Sequence, residues 1–243
     1  MNYEWKPNLF IAGFSRCGTT ALCEYLAQHP DVYVIKCKEP FTLVSAYVYD
    51  IKFYTKVWNR SNFTDVIIPL SLDRYKHYYQ KNSSKKIRVD GSTPYTYKVY
   101  FASIIKRFNP SAKVILCIRE QSERLVSLYR FTYPFHRLPF NKWLNNVVPY
   151  INEYLFYKYI VEYEALFNKN LLVLDQKTLQ HNSQHALEKI FRFLDLEPIE
   201  LKHIVSNYSY IDPLHNSYYN SLISYYTLLH SKISMIIRRY KLY

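Results

Sequence analysis

The chain has 243 residues and a net charge of +13, with 27 tyrosines, 14 phenylalanines and only three glycines. That length suits one α/β domain with a sizeable core, 1–243, better than two small ones, and the excess of Lys and Arg attracts anions without choosing among nucleotides, acidic glycans, nucleic acid and anionic membrane. Cys17, Cys23, Cys37 and Cys117 show no C-x-x-C spacing, which argues against a zinc site or a disulfide framework and for a reduced, cytoplasmic setting.

Met1 to Pro7 does not read as a signal peptide, and no apolar run reaches the length of a membrane span. Asn8 to Leu22 then reads as strand, anion-binding loop and helix. The apolar run Leu9-Phe10-Ile11-Ala12 suits a buried parallel strand. Gly13 and Gly18 bracket a tight loop. A helix starting at Thr19 or Thr20 would aim its unpaired N–H groups and positive dipole end into that loop, the arrangement that holds phosphates.

The glycine spacing is that of a Walker A loop, but Thr19 stands where the phosphate-binding lysine belongs. An ordinary ATPase is therefore not expected. The nearest long cation is Arg16, whose guanidinium can fork onto phosphate or phosphosulfate oxygens. The run Arg16-Cys17-Gly18-Thr19-Thr20 resembles the 5′-phosphosulfate loop of sulfotransferases that use 3′-phosphoadenosine 5′-phosphosulfate (PAPS). That resemblance makes these five residues the expected binders of the donor's 5′ end.

Ala21 to His29 completes the first helix and Val32-Tyr33-Val34-Ile35 reads as a strand, followed by Lys36-Cys37-Lys38-Glu39-Pro40-Phe41. The proline pushes Glu39 out of helical geometry into an extended turn at a strand end, where ligands bind in open α/β sheets. The Lys38-Glu39-Pro40 stretch looks like that of carbohydrate sulfotransferases, in which the glutamate is the catalytic base. The resemblance implies Glu39 as base, with Lys38 orienting the sulfonyl oxygens or the acceptor and Arg16 stabilising charge on the leaving phosphate.

Thr42 to Trp58 and Leu72 to Gln80 are aromatic, helical-looking pieces around a polar break at Asn59 to Asn62. Lys86 to Tyr95 reads as a strand, then a turn and a helix start with Ser92 or Thr93 as cap and Pro94 in the first turn. This segment is similar to the family's Gly-Glu-x-Thr-Pro-x-Tyr run, which makes Ser92 and Thr93 candidate acceptor-side residues. Its Asp90-Gly91-Ser92 departs from the usual order.

A helix from Tyr97 to Phe108 precedes the clearest buried strand, Ala112 to Ile118. Arg119 closes that strand and Ser127 lies eight residues on, one or two turns into the next helix. The pair resembles the family's grip on the 3′-phosphate of the donor, although Glu120-Gln121 replaces the usual Asn-Pro. Phe131 to Phe140 reads as a loop carrying His136, an alternative base that titrates near neutrality.

Val147 to Phe167 is expected to be helical, Asn170 to Asp175 a strand and His185 to Leu196 an amphipathic helix. Residues 8–197 carry the family resemblance in order; 198–243 is a helical tail. The tail ends in a basic aromatic segment able to touch an anionic membrane, and it lacks the basic loop that often closes the nucleotide site in such enzymes.

Together these residues imply a P-loop-like, three-layer α/β fold with a central parallel sheet. The resemblance implies transfer of a sulfonyl group from PAPS to a hydroxyl or amine, with no metal and no nucleic-acid partner. A carbohydrate is the expected acceptor, with a small secondary metabolite or lipid-linked molecule as the alternative. A nucleotide kinase would require ATP, magnesium and the missing lysine, and a non-catalytic basic binder would show steep salt dependence and no need of Glu39.

Overall fold

The computed structural model describes residues 4–35, 39–45, 70–96, 98–151 and 156–202. Leu9–Gly13 forms β1, with every residue buried. Such a strand needs both faces covered, and it sits in the middle of a five-stranded sheet of order β2-β3-β1-β4-β5. The others are β2 (Val32–Val34), β3 (Ile87–Asp90), β4 (Lys113–Ile118) and β5 (Leu171–Asp175). All pairings are parallel, with Leu9 opposite Val89 on one side and Lys113 on the other. Parallel pairing places all five carboxyl ends at one edge, and each connection must cross the sheet.

The described residues also form eight α-helices. These are α1 (Thr19–Leu26), α2 (Leu72–Lys81), α3 (Phe101–Phe108), α4 (Gln121–His136), α5 (Phe140–Ile151), α6 (Phe156–Phe167), α7 (Gln176–His181) and α8 (Ser183–Phe193). Local sequence chemistry fixes several starts. Ser71 caps α2 through the Arg74 N–H, Asp175 caps α7 through Lys177 and Asn182 caps α8 through His185.

The chain divides into two compact units. Met1–Val48, Pro69–Ile118 and Lys158–Ser206 form the first, which holds the whole sheet; Tyr49–Ile68, Arg119–Tyr157 and Asn207–Tyr243 form the second, which holds α4 and α5. The central core of the first unit is aliphatic, from Leu9, Ile11, Leu22, Val89 and Ile115. At the β2–β3 side it turns aromatic, where Tyr75 and Tyr79 pack edge to face 4.8 Å apart beside Ile35.

Several expectations change. The first helix ends at Leu26 rather than His29, and the helix before β4 begins at Phe101. The region 131–136 is helix, not loop: α4 continues past Pro134 to His136, and the Thr132 hydroxyl donates to the Leu128 carbonyl at 2.9 Å within it. The short α7, capped by Asp175, was not foreseen at all. Residues 46–69 and the tail from 203 onward, with the helices expected there, lie outside the described residues.

Arg88, in β3, is a cation buried to 8 % exposure and satisfied by carbonyls. It donates to the backbone oxygens of Lys6, Ser83 and Lys85 at 3.1, 3.2 and 2.6 Å, fastening the 83–86 turn to the chain start. Arg88→Met leaves three carbonyls without that donor, and is expected to cost about 2–4 kcal/mol of stability. A urea melt checks this; an unchanged midpoint would show that water replaces the guanidinium at no cost.

Candidate active site

β1 ends in the loop Phe14 to Gly18. The Cys17 N–H closes it onto the Phe14 carbonyl at 3.1 Å, and the Phe14 ring is anchored edge to face on Tyr159, 4.9 Å away. Arg16 and Gly18 both take positive φ, 73° and 85°. For Gly18 that costs nothing, whereas Arg16 is held in a conformation that side chains other than Gly, Asn and Asp seldom adopt. Strain of this kind persists where the surroundings over-determine it, as at ligand clamps.

Gly18 is the N-cap of α1, and the cap carries no side-chain hydrogen bond. A helix start with no side-chain cap at its N-cap residue suits an incoming anion. The Thr19 side chain is buried and that of Thr20 partly exposed. Cys17 is 1 % exposed, its thiol packed inward. Cys17, Cys23 and Cys117 are buried and form no disulfide; burial first, then the neighbouring Cys17 and Cys23, push the Cys117 thiol up, which keeps it protonated and inert.

Gln176, at the start of α7, lies behind this loop: a Cβ on Gly18 would stand 3.1 Å from its Cγ. Its Nε2 donates to Gln180 at 2.9 Å, and its buried Oε1 has no hydrogen-bond partner among the described residues. Sequence reasoning missed Gln176 because α7 itself was not foreseen.

Glu39 follows β2 with φ 60°, a left-handed turn rather than the expected extended one. Pro40 excludes right-handed helical geometry for Glu39, and the chain takes the left-handed alternative, repeated at Phe41 with φ 54°. The turn is pinned by the Leu70 N–H donating to the Pro40 carbonyl at 2.8 Å and the Thr42 hydroxyl donating to the Leu70 carbonyl at 2.9 Å. The half-buried Glu39 carboxylate accepts a hydrogen bond from the Thr93 hydroxyl at 3.0 Å.

Thr93 and Ser92 belong to the turn after β3. Ser92 is fully buried and donates to Asp90 Oδ1 at 2.7 Å, while the Tyr75 and Tyr95 hydroxyls donate to Asp90 Oδ2 at 2.6 and 2.7 Å. The Tyr163 hydroxyl on α6 holds the Tyr95 carbonyl at 3.0 Å, and Thr93 to Thr96 forms a 3₁₀ turn. Ser92 is thus committed to the interior, and of the two expected acceptor-side residues Thr93 is the one joined to Glu39.

The second unit carries the remaining candidates. Arg119 is mostly buried, with Nε 3.7 Å from the Glu123 carboxylate. Glu120 caps α4, accepting from the Ser122 and Glu123 N–H groups at 3.0 and 2.8 Å. It thereby does in this sequence what an asparagine does at an N-cap. Ser127 lies on α4 at 9 % exposure. His136 is the last residue of that helix, and Lys38 lies outside the described residues.

Residues 6–239 match the family model of the sulfotransferase domain. The chain belongs to the sulfotransferase domain family. Carbohydrate sulfotransferase 15 of mouse and of human each share 22 % identity with this sulfotransferase-family chain over 251 residues. The match covers 81 % of this chain and 45 % of either relative, so the chain spans less than half the length of these curated relatives.

Two solved structures show the same fold. A sulfotransferase from Alicyclobacillus acidocaldarius superposes with a TM-score of 0.66 at 18 % identity, covering 93 % of this chain and 96 % of that one. The sulfotransferase domain from the curacin biosynthetic pathway gives 0.55 at 16 %, covering 87 % and 86 %. Among the described residues, no group of three or more His, Cys, Asp and Glu side chains is placed to hold a metal ion, and no helix is long and apolar enough to cross a membrane.

Proposed function

We propose that this sulfotransferase-family protein transfers a sulfonyl group from PAPS to a hydroxyl, with Glu39 as general base. The observation that carries the proposal is the Thr93–Glu39 hydrogen bond. It joins the turns after β2 and β3 at the sheet edge where the adjacent β1 ends in its anion loop. A carboxylate fixed at the sheet edge where β1 also ends fits a reaction in which a proton leaves an acceptor as charge grows on a phosphate.

The PAPS supplies an activated sulfonyl group on a phosphate leaving group. Arg16 and the N–H groups of Gly18, Thr19 and Thr20 hold that phosphate, with Cys17 completing the loop through its backbone. Glu39 takes the acceptor proton, and Lys38 orients the sulfonyl oxygens. Arg119 and Ser127 hold the 3′-phosphate that distinguishes the donor from ATP, a role that rests on the sequence resemblance. The carbohydrate sulfotransferases among the curated relatives support a sugar hydroxyl as acceptor.

Calorimetric titration with adenosine 3′,5′-bisphosphate, ADP and AMP tests the donor. The bisphosphate is expected to bind at least about tenfold more tightly than AMP, the worth of one charge-assisted phosphate contact of about 1.4 kcal/mol or more. Arg119→Ala is expected to erase that margin. Equal affinities for bisphosphate and AMP in the wild-type protein would overturn the proposal.

A further inference from the structure

Asp90 is a carboxylate with no exposure at the carboxyl end of β3, and among the described residues it receives three hydroxyl donors and no cation. Burying such a group is costly unless its lone pairs are met. A structural contact between β3 and α2 does not need a charge, since apolar residues of similar size pack there more cheaply. What the charge does is impose direction: each of Tyr75, Tyr95 and Ser92 must point its O–H at Asp90, and each becomes a fixed strut.

Those struts bear on one short turn. Ser92 is held on Oδ1, Tyr95 on Oδ2, and the intervening Thr93 has its carbonyl bonded by the Thr96 hydroxyl at 2.9 Å. The only side-chain freedom left to Thr93 is its own rotamer, and that is spent on Glu39 Oε2. Consecutive hydroxyls therefore serve two different carboxylates, Ser92 the buried one and Thr93 the proposed base. Among the described residues, the groups acting on Asp90 are Tyr75 from α2, Tyr95 and Ser92 from its own turn, and Glu39 from the turn after β2. Burial pushes the Asp90 carboxyl up and its three hydroxyl donors pull it down, while the nearby Glu39 charge adds to the rise. The two carboxylates are thus electrostatically in touch.

We propose that Asp90 is a positioning residue for Glu39, acting through the Ser92–Thr93 turn to hold the Glu39 carboxylate in place. The inference rests on the reading of Glu39 as base. It predicts a chain of dependence, Asp90 to Ser92 to Thr93 to Glu39, in which a break anywhere impairs proton removal and spares the nucleotide.

Asp90→Asn keeps the shape and one acceptor oxygen but turns an amide N–H₂ toward a hydroxyl that can no longer donate there. With ³⁵S-labelled PAPS and a pool of desulfated glycosaminoglycans, Asp90→Asn and Thr93→Ala are each expected to lower kcat about tenfold or more. The KM for PAPS and the calorimetric affinity for adenosine 3′,5′-bisphosphate should stay within about twofold of wild type. Thr93→Ser, which keeps the hydroxyl, should restore most of the rate. Wild-type kcat in Asp90→Asn, or a loss of bisphosphate binding in parallel with kcat, would overturn the inference. A wild-type protein that binds the bisphosphate yet transfers nothing to the pool would count against the carbohydrate acceptor alone. The coupling is then read from ¹³C-carboxyl spectra, where Glu39→Gln should lower the Asp90 titration midpoint, and an unmoved midpoint overturns the inference.

Discussion

Glu39→Gln is expected to lower kcat for sulfonyl transfer by about 10²–10⁴-fold, the range over which a positioned general base contributes. The amide is nearly isosteric and still offers an oxygen to the Thr93 hydroxyl, so the turn after β2 should keep its place. What is lost is the capacity to accept a proton. Binding of adenosine 3′,5′-bisphosphate should be unchanged, because the loop Phe14 to Gly18 and Arg119 are untouched. Glu39→Asp is the informative companion: it keeps the basic group but shortens the reach by a methylene, and a displacement of about 1 Å is enough to cost on the order of 10²-fold. ³⁵S transfer from PAPS to desulfated glycosaminoglycans, with calorimetry beside it, reads both variants. A Glu39→Gln protein with wild-type kcat would remove Glu39 from the chemistry and bring His136 forward, the alternative base suggested by the sequence.

The elements most legible in the sequence were those where one physical demand dominates. Leu9–Gly13 and Lys113–Ile118 are continuous apolar runs, and such runs are affordable only in strands buried on both faces. Their positions in the middle of the sheet follow. The start of α1 was legible to within a residue, at Thr19 or Thr20, because Gly18 marks the end of the loop, and its φ of 85° is one that glycine adopts freely. α7 was not legible: six residues, Gln176–His181, show no periodicity, and only the Asp175 cap signals it. The expected loop over Phe131 to Phe140 is helix as far as His136, although Pro134 removes one helix N–H.

For the site, residue types and order were readable while orientation was not. The sequence places Glu39 beside a proline but does not say that the turn is left-handed or that Thr93 reaches it from 54 residues away. Ser92 and Thr93 look equivalent as neighbours; burial separates them, sending one hydroxyl to the interior and the other to Glu39. Asp90 ends a strand buried throughout, Ile87–Asp90, and that placement was the available signal. A carboxylate there has to be satisfied by donors that no local pattern reveals, since Tyr75 lies 15 residues upstream.

Gly13→Ala is expected to damage both stability and nucleotide binding. Gly13 is paired in register with Cys117 of β4. An added Cβ would stand 2.9 Å from the Cys117 Cβ, 2.9 Å from the Cys117 carbonyl oxygen and 2.9 Å from Thr19 Cγ2. Two of those three atoms belong to a central strand's backbone and its first side-chain carbon, which no rotamer change can move. β1 and β4 must part or the loop must shift, at about 1–3 kcal/mol as for other overpacked sites. The Thr19 contact aims the remaining displacement at the start of α1. Moving the first-turn N–H groups by even part of an ångström weakens hydrogen bonds that depend on direction, so the affinity for adenosine 3′,5′-bisphosphate should fall about tenfold or more. Thr19→Ser removes Cγ2 while keeping the hydroxyl, and added to Gly13→Ala it relieves only one of the three contacts. The double variant should therefore recover little stability in a urea melt. Full recovery would locate the clash at Thr19 alone and show that the strand pair gives way freely, contrary to a loop held rigidly by β1 and β4.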